Sequence, residues 1–219
     1  MEILDRIFSF LNKKTSSDGK FYLVGGSTRD YLLKREFDDF DFATTLSPAK
    51  LRIYFKDVGN FAFIKYGIVN IKFEGKTVTL ACMRKETSYL DSRHPSKLEF
   101  INDLNIDCKR RDFTINSIYL DSNYEIYDPN NGIEDLKSKT IRMIGDYKVR
   151  IKEDPLRILR CLRFAYALDF EVEKELKEFI FNNLNLLKNL KECKIKEELS
   201  KFRKEDLERL KKETSSFIN

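Results

Sequence analysis

Two aspartates two residues apart, Asp39 and Asp41, alternate with phenylalanines in the run Asp39-Phe40-Asp41-Phe42-Ala43-Thr44. On a strand, residues i and i+2 share a face, so the two carboxylates project together while Phe40 and Phe42 point into a core. Paired carboxylates repel unless a cation lies between them, and hard oxygen ligands suit Mg²⁺. Upstream stands Gly25-Gly26-Ser27-Thr28-Arg29-Asp30, preceded by the apolar run Phe21–Val24. A strand that runs into Gly-Gly and then a helix presents backbone N–H groups at the helix N-terminus, a ready phosphate site. Arg29, in the first helical turn, reaches the same anion. Each half has a plainer alternative, a tight turn for the glycines and a solvent-facing strand end for the acids. Together, at this spacing, they predict a site for a metal and a triphosphate.

Such a site needs a scaffold, and the chain up to residue 145 alternates β-like and helical runs. FYLVG (21–25) reads as a strand, 27–34 as a helix and FDFATT (40–45) as a second strand. Ser47 and Pro48 are an N-cap followed by proline at the first helical position, opening a helix through Phe55. GIVNIKFEGKTVTLACM (67–83) has period-2 patterning broken at Glu74-Gly75-Lys76, a hairpin. Residues 85–97 are polar and irregular and read as a loop. SIYLDSNYEIYD (117–128) reads as a second hairpin turning at Asp121-Ser122-Asn123. After Gly145 the period becomes helical, with Leu156, Leu159, Leu162 and Ala165 or Tyr166 on one face and further helices behind. The expected architecture is an α+β head, 1–145, followed by an all-helical region, 146–219.

Composition narrows the chemistry. The chain has 219 residues, 42% hydrophobic and 35% charged, enough to bury a sizeable core and too apolar for disorder. No apolar run approaches a membrane span, and the N-terminus lacks the pattern of a signal peptide, so the expected compartment is the cytoplasm. Cys82, Cys108, Cys161 and Cys193 are far apart with no CxxC pair, which argues against disulfides and zinc. His94 is the only histidine, which excludes a His-rich metal site and disfavours Ser-His-Asp hydrolysis. The net charge is +5; residues 1–147 carry 23 basic and 22 acidic groups, and 148–219 carry 18 and 14. The basic excess therefore lies in the C-terminal third, where a polyanion would be drawn.

The motifs also form an ordered set. GGSTRD and DDFDFATT resemble the head signature of the class II tRNA nucleotidyltransferase and poly(A) polymerase family. Arg110-Arg111-Asp112-Phe113-Thr114-Ile115-Asn116-Ser117 resembles that family's RRDFT segment, and DPNNGIEDL (128–136) its D-x-x-x-G-x-x-D-L stretch. Glu153-Asp154-Pro155-Leu156-Arg157, with ILRCLRFA behind it, resembles the family's E-D-x-x-R helix. The resemblance implies a nucleotidyltransferase head of the polymerase beta-like kind, built on a small mixed or antiparallel sheet, with a helical neck. It implies that Asp39 and Asp41 bind two Mg²⁺ ions and that Gly25, Gly26 and Arg29 hold phosphates. Arg111 and Asp112 would position the nucleotide through its ribose with Asn116 in support; a surface ion pair between Arg111 and Asp112 is the alternative.

Asp154 and Arg157 are three apart and so neighbours on one helix face. The first accepts from an exocyclic amine and the second donates to a ring nitrogen or carbonyl, a pattern that cytosine and adenine share and uracil and guanine lack. Arg157, Arg160 and Arg163 make a basic stripe for base edge, phosphate or RNA. Glu86 to Pro95 resembles the family's flexible loop, which helps the switch toward A addition; His94 within it has no evident catalytic part.

The implied activity is addition of CMP and AMP, from CTP and ATP, to the 3′ end of tRNA at its acceptor stem. The alternatives are A-only addition, as an A-adding enzyme or poly(A) polymerase, and a catalytically idle RNA-binding module. Lys34 replaces a usual glycine, Thr79 stands where many members carry a third acid, and the family's body and tail domains are not in this sequence. A homodimer or a partner subunit is expected to replace them.

Overall fold

In the computed structural model, which describes residues 2–91 and 94–214, the aspartate pair lies on the central strand of a mixed sheet. Five strands open it: β1 (Phe21–Leu23), β2 (Asp39–Thr44), β3 (Gly59–Asn60), β4 (Ile68–Phe73) and β5 (Lys76–Cys82). β6 (Arg84–Asp91) and β7 (His94–Phe100) pair with each other as a separate antiparallel ribbon among the described residues. β8 (Tyr119–Leu120) and β9 (Ile126–Tyr127) complete the seven-stranded sheet, whose order is β3-β4-β5-β2-β1-β8-β9. Neighbours are antiparallel except β2 and β5, which run parallel.

The alternation read from the sequence holds on β2. Phe40 and Phe42 are buried, Asp39 is exposed and Asp41 is half-buried. Phe42 meets Phe8 of α1 (Ile3–Lys14) edge to face, with ring centroids 5.2 Å apart. Leu4, Ile7, Phe8 and Leu11 form the apolar stripe by which α1 covers this side of the sheet. α2 (Gly26–Leu32) leaves β1 directly, and α3 (Pro48–Tyr54) starts where expected, Ser47 Oγ accepting from the Lys50 N–H at 3.3 Å. The β4–β5 hairpin turns through Glu74 (φ 49°) and Gly75 (φ 78°), the two positive φ angles of a primed turn.

The rest of the chain is mainly helical. α4 (Leu104–Asp107) and α5 (Gly132–Lys137) precede β10 (Thr140–Ile141). Then come α6 (Tyr147–Glu153), α7 (Leu156–Leu168), α8 (Lys174–Asn182), α9 (Glu192–Leu199) and α10 (Lys204–Glu213). β11 (Glu171–Val172), between α7 and α8, pairs parallel with β10. Leu156, Leu159 and Leu162 of α7 share one apolar cluster with Phe113, Ile115, Ile118 and Met143, so this core is continuous across residue 145.

Two expectations need correction. Of residues 85–97, expected as an irregular loop, 85–91 and 94–97 belong to the β6–β7 ribbon, with Lys85 opposite Glu99 and Thr87 opposite Lys97. The sequence from Lys85 to Lys97 is mostly polar and offers no apolar alternation from which to read such a ribbon. Ser92 and Arg93 lie outside the described residues, as do the side chains of 87–97, His94 among them. The second correction concerns Asp154 and Arg157, which do not share a helix. α6 ends at Glu153, Asp154 is extended (φ −145°, ψ 94°) and α7 begins after Pro155. Proline disfavours helical backbone in the residue before it and cannot donate to the preceding turn.

Candidate active site

The β1–α2 connection is tied to the carboxylate strand by one hydroxyl. Ser27 Oγ donates to the Asp39 carbonyl at 2.9 Å and accepts from the Asp41 N–H at 3.0 Å. Gly25 makes the bend with φ 76°, a backbone that side chains with a Cβ rarely adopt, and a Cβ there would lie 3.8 Å from Asp41 Oδ2.

Asp41 is set against Thr79 across the parallel β2–β5 junction, and the Thr79 hydroxyl hydrogen-bonds its carboxylate. Burial raises the Asp41 pKa and the neighbouring Asp39 adds to the rise; the Thr79 hydrogen bond and the Arg111 charge oppose it without cancelling it. Two carboxylates and a hydroxyl, all hard oxygen donors, fit a divalent cation such as Mg²⁺. Among the described residues no group of three or more His, Cys, Asp and Glu side chains is arranged to hold a metal. The aspartate pair with Thr79 is therefore the donor set to consider.

A cleft of about 420 Å³ opens in front of Asp41. Its lining is Gly25, Gly26, Asp41, Arg110, Arg111, Asp112, Asn116, Asp154, Arg157, Arg160 and Phe164. The fold thus brings together eight of the expected nucleotide-binding residues from three stretches far apart in sequence. Asp39, Arg29 and Arg163 are not in the lining.

Arg29 is buried rather than poised in the opening. Its Nε and Nη2 grip Asp30 at 3.0 and 2.8 Å, Nη1 donates to Asn116 Oδ1 at 2.9 Å, and the guanidinium lies 5.2 Å from the centre of the Phe164 ring. Arg163 bonds Glu198 of α9 at 2.9 Å and stacks on the same ring at 4.3 Å. Arg160 lies 5.5 Å from that ring, so one phenylalanine is the contact of three guanidiniums. Arginines three apart on a helix drift around its axis, and Arg157, Arg160 and Arg163 accordingly meet different partners.

Arg111 and Asp112 do not pair with each other, contrary to the surface ion-pair alternative. Arg111 Nε donates to the Tyr119 hydroxyl and Nη2 to Asp107, both at 3.0 Å. Asp112 pairs with Arg160, whose Nε lies 2.8 Å from Oδ2, and accepts from the Phe113 N–H at 2.8 Å. Burial pushes the Asp112 carboxyl up, but the Arg160 charge and hydrogen bonds, the Phe113 N–H and Asn116 outweigh it and lower its pKa to about 2.

Asp154 accepts from the Leu156 N–H at 3.2 Å, and the Arg157 N–H donates to the Asp154 carbonyl at 3.1 Å, so the pair is held by backbone as α7 starts. Arg157 Nη1 donates to the Arg150 carbonyl, while Arg150 Nη2 donates to the carbonyls of Arg110 and Arg111 at 2.8 and 3.0 Å. The 128–136 stretch braces the wall from behind. Asp128 caps α5 through the N–H groups of Gly132 and Ile133 at 2.7 and 2.8 Å, and Asp135 accepts from Thr114 Oγ1 at 2.6 Å.

Sequence reasoning did not single out Ser27, Asp107, Arg110, Arg150 or Phe164. Only Asp107 carried a usable signal, an acid three and four residues ahead of Arg110 and Arg111.

Residues 21–142 match the family model of the poly A polymerase head domain. The chain is 38% identical over 194 residues to the CCA-adding enzyme of Lactobacillus helveticus, covering 86% of this chain and 48% of that protein. It is similar to the crystal structure of the Bacillus stearothermophilus CCA-adding enzyme in complex with CTP, with TM-score 0.80 and 28% identity over 91% of this chain and 48% of that one. It is also similar to a tRNA nucleotidyltransferase complexed with a primer tRNA and an incoming ATP analog, with TM-score 0.72 and 29% identity over 98% and 61% of the two chains. The chain spans about half the length of the curated relatives it matches.

Proposed function

The chain belongs to the poly(A) polymerase head-domain family, and from that premise we propose that it is a template-independent nucleotidyltransferase adding CMP and AMP to the 3′ end of tRNA. The observation that carries this reading is the single cleft lined by the aspartate strand, the RRDFT segment and the start of α7. In this reading residues 1–145 form the catalytic head and 146–219 a neck that reads the nucleobase, in a cytoplasmic protein.

Asp39, Asp41 and the Thr79 hydroxyl would hold Mg²⁺, which when bound polarises the primer 3′-hydroxyl and neutralises the triphosphate. Everything else falls to the chain. Gly25 and Gly26 let the triphosphate approach the backbone, and Arg111 offers it a guanidinium held rigid from behind by Asp107 and Tyr119. Asp112 and Arg160, locked to each other, form a fixed wall beside the sugar. Asp154 accepts from the amine of cytosine or adenine, and Arg157 donates to the ring acceptor beside it. The 3′-hydroxyl then attacks the α-phosphate in line and pyrophosphate leaves.

Labelled nucleotide incorporation into tRNA lacking its CCA end, with each of the four NTPs alone and mixed, tests the reading. CTP alone should give short extension, CTP with ATP completion, and UTP or GTP nothing. Incorporation of ATP alone, only onto tRNA ending in CC, would narrow the activity to A addition. No incorporation at any nucleotide or Mg²⁺ concentration would overturn it.

A further inference from the structure

Behind Arg111, one buried carboxylate joins two parts of the molecule. Asp107, the last residue of α4, is fully buried and accepts four hydrogen bonds. Its Oδ1 takes the backbone N–H of Arg84 at 3.0 Å and Arg110 Nε at 2.8 Å. Its Oδ2 takes Arg111 Nη2 at 3.0 Å and the Tyr119 hydroxyl at 2.8 Å. One oxygen therefore faces the first residue of β6, the root of the ribbon, and the other faces a guanidinium that lines the cleft.

Both ends of this connection are held firmly. Arg111 is fixed on a second side by the Tyr119 hydroxyl, and it lies 5.1 Å from the centre of that ring. Arg84 continues the connection into the ribbon through its ion pair with Glu86 at 2.8 Å, and its Nη1 anchors on the Tyr66 carbonyl at 3.2 Å. Burial alone would push Asp107 up. The charges of Arg110 and Arg111, the Arg84 N–H and the Tyr119 hydroxyl outweigh burial and hold it well below the ordinary carboxylate range. A carboxylate with every acceptor direction taken cannot follow one neighbour without pulling on the others.

On the reading of the cleft as a nucleotide site, we propose that Asp107 is a positioning residue that orients the Arg111 guanidinium and couples it to the root of the β6–β7 ribbon. Displacement of the ribbon is then felt in the cleft as displacement of Arg111. The group does not touch the nucleotide, so its contribution is to binding geometry rather than to the reacting atoms.

Steady-state incorporation of CTP and ATP by the full chain tests this on Asp107→Asn, Glu86→Gln, the double variant and Tyr119→Phe, with melting temperatures alongside. Asp107→Asn should raise the KM for both nucleotides about tenfold, the size of one lost charge-assisted hydrogen bond, with kcat changing less than about threefold. Glu86→Gln should raise KM about twofold, and the double variant should match Asp107→Asn alone, because the ribbon acts through Asp107. Tyr119→Phe keeps the charge and drops one donor, and should raise KM by about threefold.

An unchanged KM in folded Asp107→Asn overturns the positioning role; if that variant does not fold, an unchanged KM in Tyr119→Phe does so. Single-variant factors that multiply in the double variant overturn the coupling to the ribbon. A purely structural role would lower the melting temperature and leave the KM of the folded fraction where it was. Failure of the unaltered chain to incorporate any nucleotide is a different result, which overturns the reading of the cleft itself.

Discussion

Asp41 and Asp112 line one cleft, yet folding raises the pKa of the first and lowers that of the second. Asp41 stands on a sheet strand with another carboxylate two residues away and the Thr79 hydroxyl bonded to it. Asp112 stands on an irregular segment that faces α7, where Arg160 and a backbone N–H meet it. Among the described residues the strand carboxylate has no cation paired with it, whereas the wall carboxylate is matched by Arg160. A site that must receive a cation keeps the first kind of carboxylate, and a site that must hold a shape keeps the second.

The strongest way to break this contrast is Asp41→Ala. Transfer should fall to background while the melting temperature stays level or rises, since the substitution removes a repulsion. Near-native turnover would show that the strand pair is not the reacting centre.

Asp112→Asn should do the reverse, costing about 2 kcal/mol of stability at neutral pH by leaving Arg160 partly buried and half-paired, discounted for that arginine's exposure. Turnover should fall but remain measurable. Denaturant melts read the stability change, and a variant more stable than the parent would erase the distinction between the two regions.

Asp154→Ala sharpens the comparison at the start of α7. Preference for CTP and ATP over UTP and GTP should weaken by about tenfold, the worth of one hydrogen-bond pair to the base. Relative kcat/KM across the four nucleotides is the readout, and an unchanged ratio removes Asp154 from base selection.

The smallest effect is a difference in pH dependence. The Asp41 pKa is raised in the folded chain, so its cost to stability is absent below the ordinary carboxylate value of 3.8 and complete once pH exceeds the raised value. Asp112 is lowered, so its contribution is complete above 3.8 and is lost as pH falls toward about 2. Asp41→Asn should therefore gain stability on the parent at pH 7 and match it near pH 3. Equal gains at both would mean that charge is not the cause.

Legibility in the sequence followed the same division. Period-2 alternation placed Asp39 and Asp41 on one face and Phe40 and Phe42 on the other, and the β2 backbone agrees because the burial of those rings decides its orientation. The Glu74-Gly75 turn and the Ser47 cap were legible because each rests on a local rule. The wall was harder to read. Arg29 carried a phosphate-binding signal but is occupied by Asp30 and Asn116, partners one and 87 residues away, and no local pattern shows the second. Asp107 carried a local signal toward Arg110 and Arg111, but its contacts with Arg84 and Tyr119 are brought close only by the tertiary fold. The same holds for the contacts of Arg150 with the Arg110 and Arg111 carbonyls.

The parallel junction of β2 and β5 bears on how the chain folds. β1–β2 and β4–β5 are antiparallel neighbours along the chain, but β2 meets β5 only after the segment holding α3, β3 and β4 has closed between them. That closure carries a loop entropy that these two antiparallel pairs do not, and the β1–β8 pairing, Leu23 opposite Leu120, closes a longer loop still. A slip of one residue between β2 and β5 would turn Phe40 and Phe42 to solvent and drive both aspartates into the core. Misaligned chains are thus rejected by the same apolar burial that drives collapse, and any molecule that completes folding emerges with Asp41 already facing the cleft.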